Sequence, residues 1–266
     1  MSIDSGHSGG PPVIVWTLQR SGGTNFVNRL ARLTTTKKFE HEPFNKQRVF
    51  GHVTREWMEA APGPGRDAAL SAAIDEVLKS GVNIKHCVEM MPIEISEVLA
   101  EASAQARYGH LILYRRAIVD RLMSLYFARQ TGIWGPGSAQ KADQETLEKP
   151  LPPIPVDELI DHEKKCLQNL NTVVAQLKRF GATYFVLAFE DIYDTENPEA
   201  AHAVLAASLD SLGIQLDRAS FLKWVESVQS SGEQGTRSRY AMAPGYERLV
   251  EGVKGIVEFR PSGAGP

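Results

Sequence analysis

The sequence predicts an α/β protein, a three-layer sandwich in which helices cover both faces of a central parallel sheet. Three observations predict this class. Short apolar runs at 13–18, 83–90, 110–116 and 183–191 have the length and content of buried strands. Stretches with helical spacing alternate with them, the pattern of strands joined by crossover helices. Three of the four runs end in unusual polar groups, RSGGT, RR and ED, and open parallel sheets bind ligands beyond the carboxyl ends of their strands.

The elements follow in chain order. Residues 1–12 are rich in Gly, Ser and Pro and read as a flexible lead-in to a single domain over 13–266. The run at 13–18 is continuous and partly β-branched, as in a strand buried on both faces. Phe26, Val27, Leu30 and Leu33 then recur at helical spacing. TTTKKFEHEPFNK is polar and irregular, APGPGRD is a loop, and 68–79 is a helix. NIKHCVEM gives the second strand, and Pro92 opens the next helix, which runs to about residue 104. HLILYRR is the third strand and runs into a helix with Ile118, Leu122, Leu125 and Tyr126 on one face. Residues 132–158 are rich in Pro, Gly and polar side chains and read as a lid or acceptor loop. A long helix at 156–180 and a fourth strand at 183–191 follow, then more helix and the Gly/Ser/Arg-rich stretch 230–240.

Composition narrows the functions. A formal net charge of −3 on 266 residues gives no basic excess for nucleic acid and no charged tail. The two cysteines, Cys87 and Cys166, are too few for a disulfide framework and read as core thiols, and no cluster shows metal-ligand spacing, so no metal is expected. No run approaches the roughly 20 apolar residues of a membrane helix, and 1–12 lacks a signal pattern. A reducing, cytoplasmic setting is the expectation.

The joint after the first strand, Gln19 to Asn25, carries the chemistry. Backbone N–H groups and the helix dipole favour an anion at a helix start. Gly22 and Gly23 let the backbone approach, Ser21 and Thr24 add hydroxyls, and Arg20 adds a planar, fixed charge. Aligned on the ATP-type loop, Thr24 takes the last hydroxyl position, Gly23 the lysine position and Thr17 the first glycine. The phosphate-reaching lysine is therefore missing from that position. The third strand also ends in arginines, not in a metal-holding aspartate. Both features disfavour an ATP- or GTP-dependent kinase.

The second cluster is Arg116, Asp120 and Ser124, spaced by four on one helix face. A guanidinium and a hydroxyl donor suit a phosphate monoester. Together the two segments resemble the sulfotransferases that use 3′-phosphoadenosine 5′-phosphosulfate. Arg20-Ser21-Gly22-Gly23-Thr24 is similar to that family's first hallmark loop, and Arg116, Asp120 and Ser124 to its second. AFEDIYD at 188–194 is similar to a strand-end segment of these enzymes. The likeness covers about 13–33 and 110–129, and 183–194 more loosely. Arg at position 20 resembles the bacterial and carbohydrate-directed branches more than the cytosolic animal enzymes.

The resemblance implies the P-loop-like three-layer sandwich and a transferase that moves a sulfuryl group to a hydroxyl or amine of a small-molecule or carbohydrate acceptor. It implies that Arg20, Ser21, Gly22, Gly23, Thr24 and Asn25 hold the 5′-phosphosulfate of the co-substrate. Arg116 and Ser124 would hold the 3′-phosphate, with Arg237 or Arg239 a further contact. Arg20 would also stabilise charge on the leaving 3′,5′-bisphosphoadenosine. The general base stays open between Glu42 in HEPFN and His86 in IKHCVEMMP, with His41 a third option; position 20 being Arg points to Glu42. Lys85 and His86 could line the acceptor pocket, and Glu89 is a further base candidate, since strand alternation puts it on the opposite face from His86. A small-molecule kinase and a non-catalytic nucleotide-binding module are the alternatives. The acceptor and the oligomeric state are not readable from the residues.

Overall fold

The computed structural model describes residues 10–134, 151–193, 196–230, 237–257 and 259. Most of the expected lead-in, the lid segment 135–150 and the glycine-rich part of 230–240 lie outside these residues.

Five parallel strands form one sheet in the order β2-β3-β1-β4-β5. They are β1 (Val13–Thr17), β2 (Phe39–His41), β3 (Asn83–Cys87), β4 (Gly109–Tyr114) and β5 (Tyr184–Ala188). The helices are α1 (Gly23–Leu30), α2 (Gly51–Glu59), α3 (Pro64–Lys79), α4 (Ile93–Gln105), α5 (Ile118–Thr131), α6 (Val156–Arg179), α7 (Phe189–Tyr193), α8 (Pro198–Ser211), α9 (Arg218–Gln229) and α10 (Tyr246–Val253). Short 3-10 turns at Ala31–Leu33, Val88–Met90 and Arg237–Met242 complete the described elements.

All five residues of β1 are buried, because the sheet is covered on both sides. Alternation along the strand divides them. Ile14 and Trp16 join Ile84 and Ile112 under α3, α4 and α6, where Ile74, Leu99, Leu170 and Val173 meet them. Val13 and Val15 join Leu111 and Leu113 under α1, α8 and α9, against Phe26, Leu30, Leu209 and Trp224. Burying each such aliphatic side chain is worth about 1.5–3 kcal/mol. A third cluster joins α5, α6 and α10 through Met123, Phe127, Leu159, Tyr240 and Leu249. Asn197 and Asp217 cap α8 and α9 by accepting from the N–H groups of Ala200 and Ser220.

Several readings change, among them the third strand, which stops at Tyr114 rather than reaching 116, and α3, which opens at Pro64 inside the expected loop APGPGRD. A fifth strand, β2, lies inside the stretch expected to be irregular; only Phe39 to His41 pair, in register with Asn83 to Lys85. The second strand stops at Cys87, and Val88–Met90 is a 3-10 turn, so strand alternation does not reach Glu89. The fourth strand stops at Ala188, and the acids of the ED group sit in α7.

The N-terminal edge of the sheet is tied by Asn83. Its Oδ1 accepts from the Val13 N–H at 2.9 Å, and its Nδ2 donates to Thr34 Oγ1, Thr36 Oγ1 and the Lys38 carbonyl. At the opposite edge the chain leaves β1 between β3 and β4, its two neighbours. The strand order reverses there, and at such a switch point open parallel sheets form their ligand crevice, here beyond the carboxyl end of β1. Among the described residues no helix is long and apolar enough to cross a membrane.

Candidate functional site

The crevice is floored by the loop from Leu18 to Gly22. Ser21 N–H donates to the Leu18 carbonyl at 3.3 Å, and the Phe26 N–H closes the first turn of α1 on Gly22 at 3.2 Å. The turn needs two residues at positive φ, Arg20 at 66° and Gly22 at 77°. Gly22 is also required by space, since a Cβ there would lie 2.8 Å from the Phe189 ring. Ser21 is fully buried, and its hydroxyl has no hydrogen-bond partner among the described residues. Its side chain is therefore available to a group entering the loop.

Arg20 turns back over the crevice. Its Nε donates to Ser124 Oγ at 2.8 Å and its Nη1 to the Trp134 carbonyl at 2.7 Å. This contact brings the two sequence clusters together directly. Burial, with Arg115 nearby, pulls the Arg20 guanidinium below its ordinary value, against the influence of Tyr240.

Lys85 enters from β3 on the loop side. Its Nζ donates to Thr24 Oγ1 at 3.1 Å and forms a close ion pair with Glu42. A Cβ added at Gly23 would lie 3.5 Å from Lys85 Cδ. An ammonium thus sits beside α1 although position 23 has no side chain. Glu42 is brought there by the pairing of β2 with β3: its N–H donates to the Lys85 carbonyl at 2.8 Å, and its φ is 43°. Burial pushes the Glu42 carboxyl up. The attraction and hydrogen bond of Lys85, a bond from Cys87 and the field of His41 more than offset this, so Glu42 lies below the ordinary carboxylate range. At neutral pH it is a carboxylate.

His86, one residue along β3, faces the other way. It is fully buried, edge-on to Trp16 and Phe44, with its Nε2 2.9 Å from Ser96 Oγ. Burial lowers it to about 4, so it is neutral. The structure does not bring His86 to the loop. His41 is half-buried beside Lys85, and burial and that lysine lower it.

The other predicted residues are spread around the rim. Arg116 is not directed at Ser124; its Nη2 donates to Asp191 at 2.6 Å, which raises it. Glu190 accepts from the N–H groups of Arg116 and Ala117, both at 3.0 Å, and so occupies the start of α5. Asp120 pairs with Arg115 at 3.3 Å and with Arg237 at 3.0 Å. Arg115 lies over the Phe189 ring, 4.5 Å from its centre. The Asn25 amide donates to Tyr193 and to the Val228 carbonyl, both at 2.9 Å, so its side chain fastens α1 to α7 and α9.

Two features escaped the sequence reading. One is the Lys85–Glu42 contact, which the pairing of β2 with β3 makes and no local pattern in the sequence signals. The other is a group of Glu89, His162 and Cys166, whose ligand atoms all lie within 4.8 Å of one another. The spacing of His162 and Cys166, i to i+4 on one helix, was its signal, against the expectation that no such cluster exists. Glu89 is enclosed: although burial opposes its ionisation, His162, Arg121, Cys166 and the Gln19 N–H hold it at about 2. Its two oxygens are taken up by these groups, and the structure does not bring it to Lys85 or Thr24. The chain matches no family model and no curated protein.

Proposed function

We propose that this protein transfers a sulfuryl group from 3′-phosphoadenosine 5′-phosphosulfate to a hydroxyl or amine of a small-molecule or carbohydrate acceptor, on a P-loop-like fold. One observation carries the reading. A cation and an ionised carboxylate, Lys85 and Glu42, meet at the start of α1 beside Arg20, Ser21 and Thr24. Such a crevice holds an anion and offers a base next to it.

The residues divide the work. The loop N–H groups, Ser21 Oγ and Thr24 Oγ1 bind the donor's 5′-phosphosulfate. Ser124, and Arg116 once released from Asp191, bind the 3′-phosphate. Glu42 takes the proton of the acceptor hydroxyl as its oxygen attacks sulfur. The bond between sulfur and the bridging oxygen breaks, its electron pair stays on the phosphate, and Arg20 and the loop N–H groups stabilise that charge. Lys85 swings from Glu42 to the sulfuryl oxygens, which frees the carboxylate at the moment it is needed. His86 has no part in this scheme, because it lies in the core. Both cysteines are buried and free, which suits the reducing cytoplasm we assign to it.

The test is calorimetric titration of the full chain with 3′,5′-bisphosphoadenosine, with and without magnesium. Magnesium-independent binding that falls by about 1.5–3 kcal/mol in Arg20→Ala and in Arg116→Ala is expected. Transfer from the sulfated donor to a panel of sugars and phenols then follows. Binding of ATP with magnesium in place of the bisphosphate would replace this reading with phosphoryl transfer. Tight bisphosphate binding without transfer to any acceptor would make the chain a nucleotide-binding module.

A further inference from the structure

We propose that Glu89, His162 and Cys166 form a zinc site, distinct from the crevice and behind its loop. Two segments supply the ligands. Glu89 is in the 3-10 turn after β3, and His162 and Cys166 are one turn apart on α6, so they share a face. His162 Nε2 and Cys166 Sγ each lie 2.9 Å from one oxygen, Glu89 Oε2, and 3.5 Å from each other. In a tetrahedral zinc site with bonds of about 2.0–2.3 Å, ligand atoms are roughly 3.5 Å apart. Small outward movements of three side chains would open the triangle to that size.

The donor set selects the metal. A thiolate, an imidazole and one carboxylate suit zinc, whereas magnesium and calcium prefer oxygen alone. The surroundings are those of a built site. The other carboxylate oxygen of Glu89 accepts from the Gln19 N–H, which fixes the orientation of the ligand. Arg121 Nη1 lies 3.5 Å from Glu89 Oε2, and its charge is balanced by its ion pair with Glu163, where both side chains are fully buried. Glu89 and a Cys166 thiolate then supply two negative charges against a divalent ion, and the occupied site is neutral. Binding releases the thiol proton to solvent. Cys166 and the side chain of Glu89 are buried, but the His162 side chain keeps about a quarter of its surface exposed, which gives the ion access and leaves the fourth position to water. The site does not depend on the donor assigned to the crevice.

The full chain, without a histidine tag, is stripped with a chelator and titrated with zinc and with cobalt(II). One equivalent of zinc by elemental analysis, and a sulfur-to-cobalt charge-transfer band, are expected. Cys166→Ser should abolish the band, and His162→Gln should weaken binding by about a hundredfold. His52→Gln, at an exposed histidine, should change neither. His162 is partly exposed, so that variant keeps its fold, which circular dichroism checks. Substoichiometric zinc, a cobalt spectrum without the sulfur band, or binding that survives in both ligand variants would overturn the proposal.

Discussion

Two ion pairs, Lys85–Glu42 and Arg121–Glu163, lie on either side of the loop at the end of β1 and differ in what they can do. In the first, the side chains are 7% and 12% exposed; in the second, both are at 0%. Lys85 has Thr24 as a second partner at the mouth of the crevice, and Glu42 has Cys87. Arg121 also holds the Gln19 carbonyl at 3.1 Å, sealed under the same loop. A pair at the edge of solvent can exchange one partner for a ligand. A pair without solvent cannot, because a charge left alone there is too costly. The difference teaches that ion pairing as such does not mark a functional site; access to an exchange partner does.

The strongest way to break this contrast acts on Glu42. Glu42→Gln should slow the proposed sulfuryl transfer by about 10²–10⁴-fold and leave bisphosphoadenosine affinity nearly unchanged. Comparing single-turnover rates with calorimetry checks this. Because Glu42 sits below the ordinary carboxylate range, it stays ionised through that range, and its action is lost only as pH falls below it. An acid limb in the wild-type rate that vanishes in the variant is expected. A transfer rate untouched by the change would remove Glu42 from the chemistry.

Next in size is the sealed pair. Arg121→Met should cost about 3–5 kcal/mol in urea unfolding, and adding Glu163→Leu should recover much of it. If the single variant loses under about 1 kcal/mol, in the range of an exposed pair, the two regions are not different in kind.

These two regions were unequally legible in the sequence. The strands β1, β3, β4 and β5 and the glycine-rich loop were readable because apolar runs and turn residues are local signals. β2 was not: KKFEHE holds only three paired residues, and its hydrogen bonds to β3 come from tertiary structure. Glu42 reaches Lys85 only through that pairing, so the base candidate was nameable while its partner was not. Arg20 and Ser124 were each singled out, but their mutual contact spans 104 residues. The third strand was expected to reach 116 but stops at Tyr114, so Arg116 lies before α5, off the helix face it was assigned with Asp120 and Ser124, and turns to Asp191. Glu89 was assigned a face by alternation, and the chain had already left the strand.

The smallest effect sharpens the two faces of β3. Burial holds His86 at about 4, below the ordinary 6.5. The unfolded chain therefore takes up a proton below about 6.5 that the folded chain refuses until about 4. Stability from this source is complete above the upper value and declines as pH falls toward the lower one. His110, also lowered to about 4 by burial, acts in the same direction. His86→Gln should reduce proton uptake on unfolding near pH 5 by about one, read from the pH slope of urea midpoints. A slope equal to that of the wild type would mean that His86 reaches solvent after all.

The position of β1 has a consequence for how the chain acquires its fold. It is the earliest strand in the sequence and the central one in the sheet. Its register partners come from β3, some 70 residues later, and from β4, later still. During synthesis this apolar strand and its glycine-rich loop leave the ribosome before the strands they pair with in the sheet. The loop gains its shape only when Lys85 and Glu89, and then Ser124, have emerged. Slow, long-range assembly follows from that order, and pulse proteolysis of stalled nascent chains should find 10–30 protected only after β4 is out.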